Sequence, residues 1–203
     1  MLIKNTILKS VLQGKGISSG YSFRGKIDDD PNGQIKVVQL KDLINEYTAI
    51  GKDCYKVSLE RIKEKYILKD GDILFISKGH NNNAIAFSSN KSPGPYIASS
   101  ALFVVEVDHS KANPKYISWY INQLPVQNYI KQNLTGTYTP TVNRKVVENI
   151  PLKLPGLEEQ NRIAELGDLA IKEKYLHAQI LEQREILINS QLLNFINRRK
   201  NDK

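Results

Sequence analysis

At 203 residues with 40% hydrophobic and 25% charged side chains, the chain has the composition of a globular protein and excludes a disordered polymer. A single cysteine, Cys54, excludes an internal disulfide, no apolar run approaches the ~20 residues that span a bilayer, and the start Met1-Leu2-Ile3-Lys4 lacks a signal-peptide core, so a soluble cytoplasmic protein is expected. The net charge of +8 sits in residues 1–157, with 21 Lys+Arg against 13 Asp+Glu, while residues 158–203 carry eight of each; a basic globular part suits a polyanionic partner.

Along the chain, Ser18-Ser19-Gly20-Tyr21-Ser22-Phe23-Arg24-Gly25-Lys26 mixes cations with two aromatics. That mixture is compatible with nucleic-acid contact, Arg24 being the candidate residue, and equally with a strand edge packed on a core. Asp28-Asp29-Asp30 runs into Pro31-Asn32-Gly33, which favours a solvated turn over a cation site. Residues 35–40, 72–76, 83–87 and 101–107 are short apolar or β-branched runs and read as strands. Residues 59–66 read as a short helix, and Lys69-Asp70-Gly71-Asp72 as a tight turn.

Between two of these strands lies Ser77-Lys78-Gly79-His80-Asn81-Asn82-Asn83, with six hydrogen-bonding side chains in seven residues. Asn can pair with adenine in the major groove and Lys can reach guanine or a phosphate, so Lys78, His80, Asn81, Asn82 and Asn83 are the first candidates for reading DNA, an ordinary polar hairpin loop being the alternative. A helix is expected from about residue 114 to 133, with Tyr116, Ile117, Tyr120, Ile121 and Leu124 on one face. Gly136-Thr137-Tyr138-Thr139-Pro140-Thr141, followed by Asn143-Arg144-Lys145, offers hydroxyls, backbone N–H groups and charge, which makes Thr137, Tyr138, Arg144 and Lys145 the next candidates.

After Pro155 the pattern becomes one long helix, with Glu158 and Glu159 in the first turn where the helix dipole favours them. Leu169, Leu176, Ile180 and Leu187 follow a 7-4-7 spacing, the seam of a coiled coil, interrupted by Glu173 and Arg184. A second stripe, Ile163, Leu166 and Ala170, then Ile188, Leu192 and Phe195, widens the apolar surface. Its partner is expected to be another helix, a helical hairpin being the alternative. The fold class is therefore α+β: a compact mixed α/β domain over residues 1–155, then one long C-terminal coiled-coil helix over residues 156–203.

Catalytic patterns are missing from the sequence. His80, His109 and His177 have no metal-ligand spacing, and Cys54 has no neighbouring His. The glycines form neither a dinucleotide turn nor a phosphate loop. A binder without metal or cofactor, and not an enzyme, is expected.

Five segments in order then resemble the specificity subunits of type I restriction-modification systems. They are Gly20-Tyr21-Ser22-Phe23-Arg24-Gly25-Lys26-Ile27; Lys69-Asp70-Gly71-Asp72 through Gly79; Asn113-Pro114-Lys115-Tyr116-Ile117-Ser118-Trp119-Tyr120; Thr135-Gly136-Thr137-Tyr138-Thr139-Pro140; and Ile150-Pro151-Leu152-Lys153-Leu154-Pro155-Gly156-Leu157-Glu158-Glu159-Gln160-Asn161-Arg162-Ile163-Ala164. Gly156 stands where the family often has a second proline. The resemblance implies a target-recognition domain that reads one half of an interrupted double-stranded DNA site, with its long helix setting the gap. It also implies modification (methyltransferase) subunits that bind S-adenosylmethionine and methylate adenine, and motor-nuclease subunits that use ATP and Mg. This chain corresponds to one domain and one helix of a subunit that usually has two of each, so it is either a half-subunit, for which a homodimer through the C-terminal helix is expected, or one half of a longer or split subunit. A coiled-coil adaptor with an incidentally basic domain is the competing expectation, and salt-sensitive DNA affinity separates the two.

Overall fold

The computed structural model describes residues 3–44, 49–51, 53–89, 94–136 and 138–198. Its strands are β1 (Lys4–Ile7), β2 (Leu12–Ser19), β3 (Ile35–Val38), β4 (Leu43–Ile44), β5 (Ala49–Ile50), β6 (Tyr55–Val57), β7 (Ile73–Ile76), β8 (Ala84–Ala86), β9 (Tyr96–Ala98), β10 (Leu102–Val107) and β11 (Pro151–Leu154). Its helices are α1 (Pro114–Ile121), α2 (Leu124–Gln132), α3 (Arg144–Glu148) and α4 (Leu157–Arg198). The α+β class with a long C-terminal helix is what the sequence pattern predicts.

The run Ile73-Leu74-Phe75-Ile76 is apolar at every position because both of its faces are covered. Strand β7 lies inside an antiparallel sheet of order β2-β10-β7-β8. Side chains alternate across a strand, so Ile73 and Phe75 enter one core while Leu74 and Ile76 enter another. The first core joins them to Val105 and Val107 of β10, Ile117 and Ile121 of α1, Val126 and Ile130 of α2, Val147 of α3 and Ala164 of α4. The second core joins Leu74, Ile76, Leu102 and Val104 to Val38, Tyr96 and Ala98, which belong to a sheet of order β6-β3-β9. Strand β3 pairs antiparallel with β6 and parallel with β9. Each fully buried aliphatic side chain in these cores contributes about 1.5–3 kcal/mol.

Two helix expectations are corrected. Residues 59–66 contain only a single 3-10 turn at Glu64–Tyr66. Leu59, Ile62 and Tyr66 instead pack on a third, smaller core of Ile35, Val37, Val57 and Ile97. The expected helix over residues 114–133 is two helices, broken at Asn122 and Gln123. Pro125 causes the break: it has no N–H to give to the preceding turn, yet fits the first turn of α2. Leu124 is 70% exposed and leaves the apolar face on which Tyr116, Ile117 and Ile121 are buried.

The chain divides into two units, Met1–Glu165 and Leu166–Lys203. Within the first, the opening turns of α4 are held by polar bonds as well as by packing. Gln160 is 1% exposed; its Oε1 accepts from the Asn113 N–H (2.8 Å), and its Nε2 donates to the carbonyls of Pro155 (2.8 Å) and Lys111 (3.2 Å). Asn113 Nδ2 donates to Asn161 Oδ1 (2.7 Å), while Asn113 Oδ1 caps α1. Gln160→Leu keeps the volume and leaves these groups unpaired, so it is expected to destabilise the fold by about 1–3 kcal/mol, read as a lower urea midpoint. An unchanged midpoint would show that the bonds contribute nothing.

The second unit is helical from Leu166 to Arg198, with no turn among its described residues, so the hairpin alternative does not hold. Leu169, Leu176, Ile180 and Leu187 are all exposed in the single chain, as are Leu166, Ile188, Leu192 and Phe195. Among the described residues, no helix is long and apolar enough to cross a membrane.

Candidate nucleic-acid interface

The polar loop that follows β7 and the segment that precedes α3 are joined by main-chain bonds. The Val142 N–H donates to the Ser77 carbonyl (2.9 Å), and the Gly79 N–H donates to the Pro140 carbonyl (2.8 Å). Lys78 forms a β-bridge with Thr141, and Thr141 a second one with Thr135. On its other side, Ser77 is tied to the Ala101 carbonyl through its N–H (3.0 Å) and its hydroxyl (2.9 Å). Gly79 has φ +100°, a conformation that disfavours any side chain, although a Cβ there would meet nothing within 4 Å. The glycine therefore serves the turn of the chain.

Lys78, His80 and Asn81 are exposed on this loop, and Asn83 is half-buried. Tyr138 is 98% exposed; Thr137 lies outside the described residues. Arg144 and Lys145 are exposed at the start of α3, whose first turn is capped by the Asn143 side chain on the Val146 N–H (3.0 Å). Arg144 Nε is paired with Glu148 Oε1 at 2.7 Å. Such a surface pair is worth about 0–1 kcal/mol, weak enough to be exchanged for a phosphate. The structure thus joins the 77–83 loop to Pro140, Thr141 and Val142, with Arg144 and Lys145 following along the chain at the start of α3.

Asn82 is corrected from the exposed set. It is 1% exposed, and its Nδ2 donates to the Ile76 carbonyl (3.0 Å), closing the loop on itself. Its own carbonyl accepts from Gln127 Nε2 (3.1 Å) on α2. It shapes the loop and offers no edge to a ligand. Arg24 is exposed, on a different segment. There Tyr21 and Phe23 stack edge to face at 4.8 Å and pack on the third core, so these aromatics take the strand-edge reading. Gly20 starts that segment because a Cβ would come within 2.2 Å of the Ser99 carbonyl oxygen.

Two side chains that matter for the loop are missed by the sequence reading: Asn122 and Gln127. Asn122 Oδ1 accepts from the Ala84 N–H (2.8 Å) and its Nδ2 donates to the Ala84 carbonyl (2.9 Å). The signal for them is Pro125, which marks a helix break and hence a corner with polar residues at hand.

The acidic run 28–30 is a turn: Asp29 accepts from the Lys56 N–H (2.8 Å), and Asp30 from the Ser58 hydroxyl (2.6 Å) and the Asn32 N–H (3.0 Å). The Ser58 bond and then that of Asn32 hold the Asp30 carboxyl below its ordinary range. Cys54 is buried in the second core, and burial pushes its thiol up to about 11, the state of an inert core residue. Among the described residues, no three His, Cys, Asp or Glu side chains form a group that could hold a metal ion.

Comparison with known proteins gives a consistent picture. Residues 8–185 match the family model for the type I restriction modification DNA specificity domain. Over 103 residues, the chain is 32% identical to the type I restriction enzyme MjaVIII specificity subunit of Methanocaldococcus jannaschii, covering 51% of this chain and 23% of that protein. Its fold is similar to a chain from a study of complex assembly and conformational transition in the type I R-M system (TM-score 0.65, 16% identity, 94% of this chain and 48% of that one). It is also similar to the HsdS subunit from Thermoanaerobacter tengcongensis (TM-score 0.60, 17% identity, 91% and 47%). The chain spans about half the length of these two structures and 23% of the curated relative.

Proposed function

This chain belongs to the type I restriction modification DNA specificity domain family, and from that premise we propose that it is the DNA-reading component of a restriction-modification complex. In this reading, residues 1–155 recognise one half of an interrupted site and residues 156–203 are the spacer helix that sets the gap. The observation that carries it is the main-chain junction of the 77–83 loop with Pro140, Thr141 and Val142, in the part of the chain that holds the whole excess of positive charge. Exposed amide, imidazole and ammonium groups beside basic residues supply both the base-edge and the phosphate contacts that such recognition needs.

The chain carries no chemistry in this scheme. Modification subunits bind S-adenosylmethionine and methylate adenine, and a motor-nuclease subunit uses ATP and Mg. Two copies pair through the exposed apolar stripes of α4, so that their recognition units face the two halves of the DNA site. A two-fold symmetric protein reads a two-fold symmetric sequence, so the site is an interrupted palindrome.

The test is selection from a random-sequence duplex pool by this chain mixed with its modification subunit, followed by sequencing. The expected result is an enriched motif of two identical, inverted halves at a fixed gap. Halves of unrelated sequence would refute the homodimer, and a stable protein complex that enriches nothing would refute DNA reading.

A further inference from the structure

We propose that the corner between α1 and α2 positions the 77–83 loop: Asn122 and Gln127 set where His80 and Asn81 stand, and so govern sequence discrimination without touching DNA. The proposal rests on the DNA-reading assignment above.

Strand β8 is the edge of its sheet, with β7 on one side only. An edge strand needs partners for its outer N–H and C=O groups. Asn122 supplies both for Ala84, its amide standing in for a neighbouring strand at 2.8 and 2.9 Å. Two residues earlier, Gln127 Nε2 bridges the Asn82 carbonyl (3.1 Å) and the Ile121 carbonyl (2.9 Å), tying the loop to the end of α1. Asn82 Nδ2 then reaches across the loop to the Ile76 carbonyl (3.0 Å), and the Ile76 N–H donates to the Asn83 carbonyl (2.9 Å).

The returning arm of the loop is therefore fixed from the helix side and from β7, while the outgoing arm is fixed by Pro140 and Val142. His80 and Asn81 are the exposed residues between these two anchors. Asn122 and Gln127 are themselves half-buried behind the loop. Paired hydrogen bonds to a base edge tolerate little displacement, so slackening the returning arm blurs the choice between bases while phosphate contacts persist.

The experiment uses the full chain and two variants, Gln127→Met and Asn122→Asp, each of which removes a donor at nearly constant volume. Wild-type enrichment from the random duplex pool is measured first. Amide hydrogen exchange across residues 78–84 and the affinity ratio between the selected duplex and a scrambled one are then compared. The expected result is faster exchange confined to this segment and a discrimination ratio lower by about tenfold or more, with affinity for scrambled DNA and its salt dependence unchanged. Unchanged exchange in both variants overturns the proposal, as does faster exchange with full discrimination. A wild-type chain that forms a stable complex with its modification subunit and still enriches no sequence overturns the DNA-reading assignment, and this proposal with it, before any variant is compared.

Discussion

Replacing both Leu176 and Ile180 with Asp is expected to leave the chain monomeric at micromolar concentration, with the unit Met1–Glu165 still folded. Both side chains are exposed in the single chain, at 44% and 61%, although Leu and Ile lose about 1.5–3 kcal/mol each by remaining in water. They lie at the centre of the seam proposed for the homodimer, whose outer members, Leu169 and Leu187, are both 55% exposed. Residues 158–203 carry eight charges of each sign, so no net repulsion opposes pairing of two copies. Two Asp residues introduced on each helix would place four carboxylates in the paired interface, and neither packing nor hydrogen bonding there compensates their desolvation. Sedimentation equilibrium reads the mass, and near-ultraviolet circular dichroism reads the tertiary packing around Trp119 and the tyrosines. An unchanged dimer mass would refute the seam, and loss of the near-ultraviolet signal would show that α4 is needed to fold the first unit.

The second large effect is expected at the proposed DNA surface, where neighbouring asparagines should behave in opposite ways. His80→Ala with Asn81→Ala removes exposed groups and is expected to leave stability intact. Removing a bidentate bond to a base lowers discrimination by about 1–3 kcal/mol, with affinity for scrambled duplex little changed. Lys78→Ala or Lys145→Ala instead weakens all sequences alike and reduces the salt slope by about one for each phosphate no longer neutralised. Asn82→Ala acts on the fold: it leaves the Ile76 carbonyl without its side-chain donor and is expected to cost about 1–3 kcal/mol of stability. Duplex titrations at several salt concentrations, with thermal melts, separate the three classes. If the His80/Asn81 double variant keeps full base preference, the 77–83 loop is not the reader.

The elements legible in the sequence are those whose pattern reports burial directly. Strands β7 and β10 are nearly continuous apolar runs because both faces of their sheet are covered, and α4 has its composition and its Pro155-Gly156 start. Strand β2 is not legible. Its Leu12-Gln13-Gly14-Lys15-Gly16-Ile17 has two glycines at positive φ, and it is a strand through its pairing with β10 across a register shift. Residues 59–66 mislead for the opposite reason: their charged residues are good helix formers, but Leu59, Ile62 and Tyr66 are claimed by a core built from distant strands.

At the candidate site, composition marks which loops are polar but not that they are joined. That junction is made by main-chain groups of Ser77, Gly79, Pro140 and Val142, which leave no trace in side-chain identity. Nor does Asn81-Asn82-Asn83 say which asparagine turns inward. That is decided by the carbonyl of Ile76 and by Gln127, 45 residues away along the chain.

The main-chain character of that junction bears on how such a protein changes its target. Bonds between backbone atoms survive most substitutions of the side chains they carry, so positions 78, 80 and 81 can be exchanged while the loop keeps its path. In the proposed reading, single substitutions at these exposed positions would alter base preference while leaving stability near its starting value. Substitutions at Asn82, Asn122 or Gln127 would instead remove the side-chain bonds that fix the returning arm.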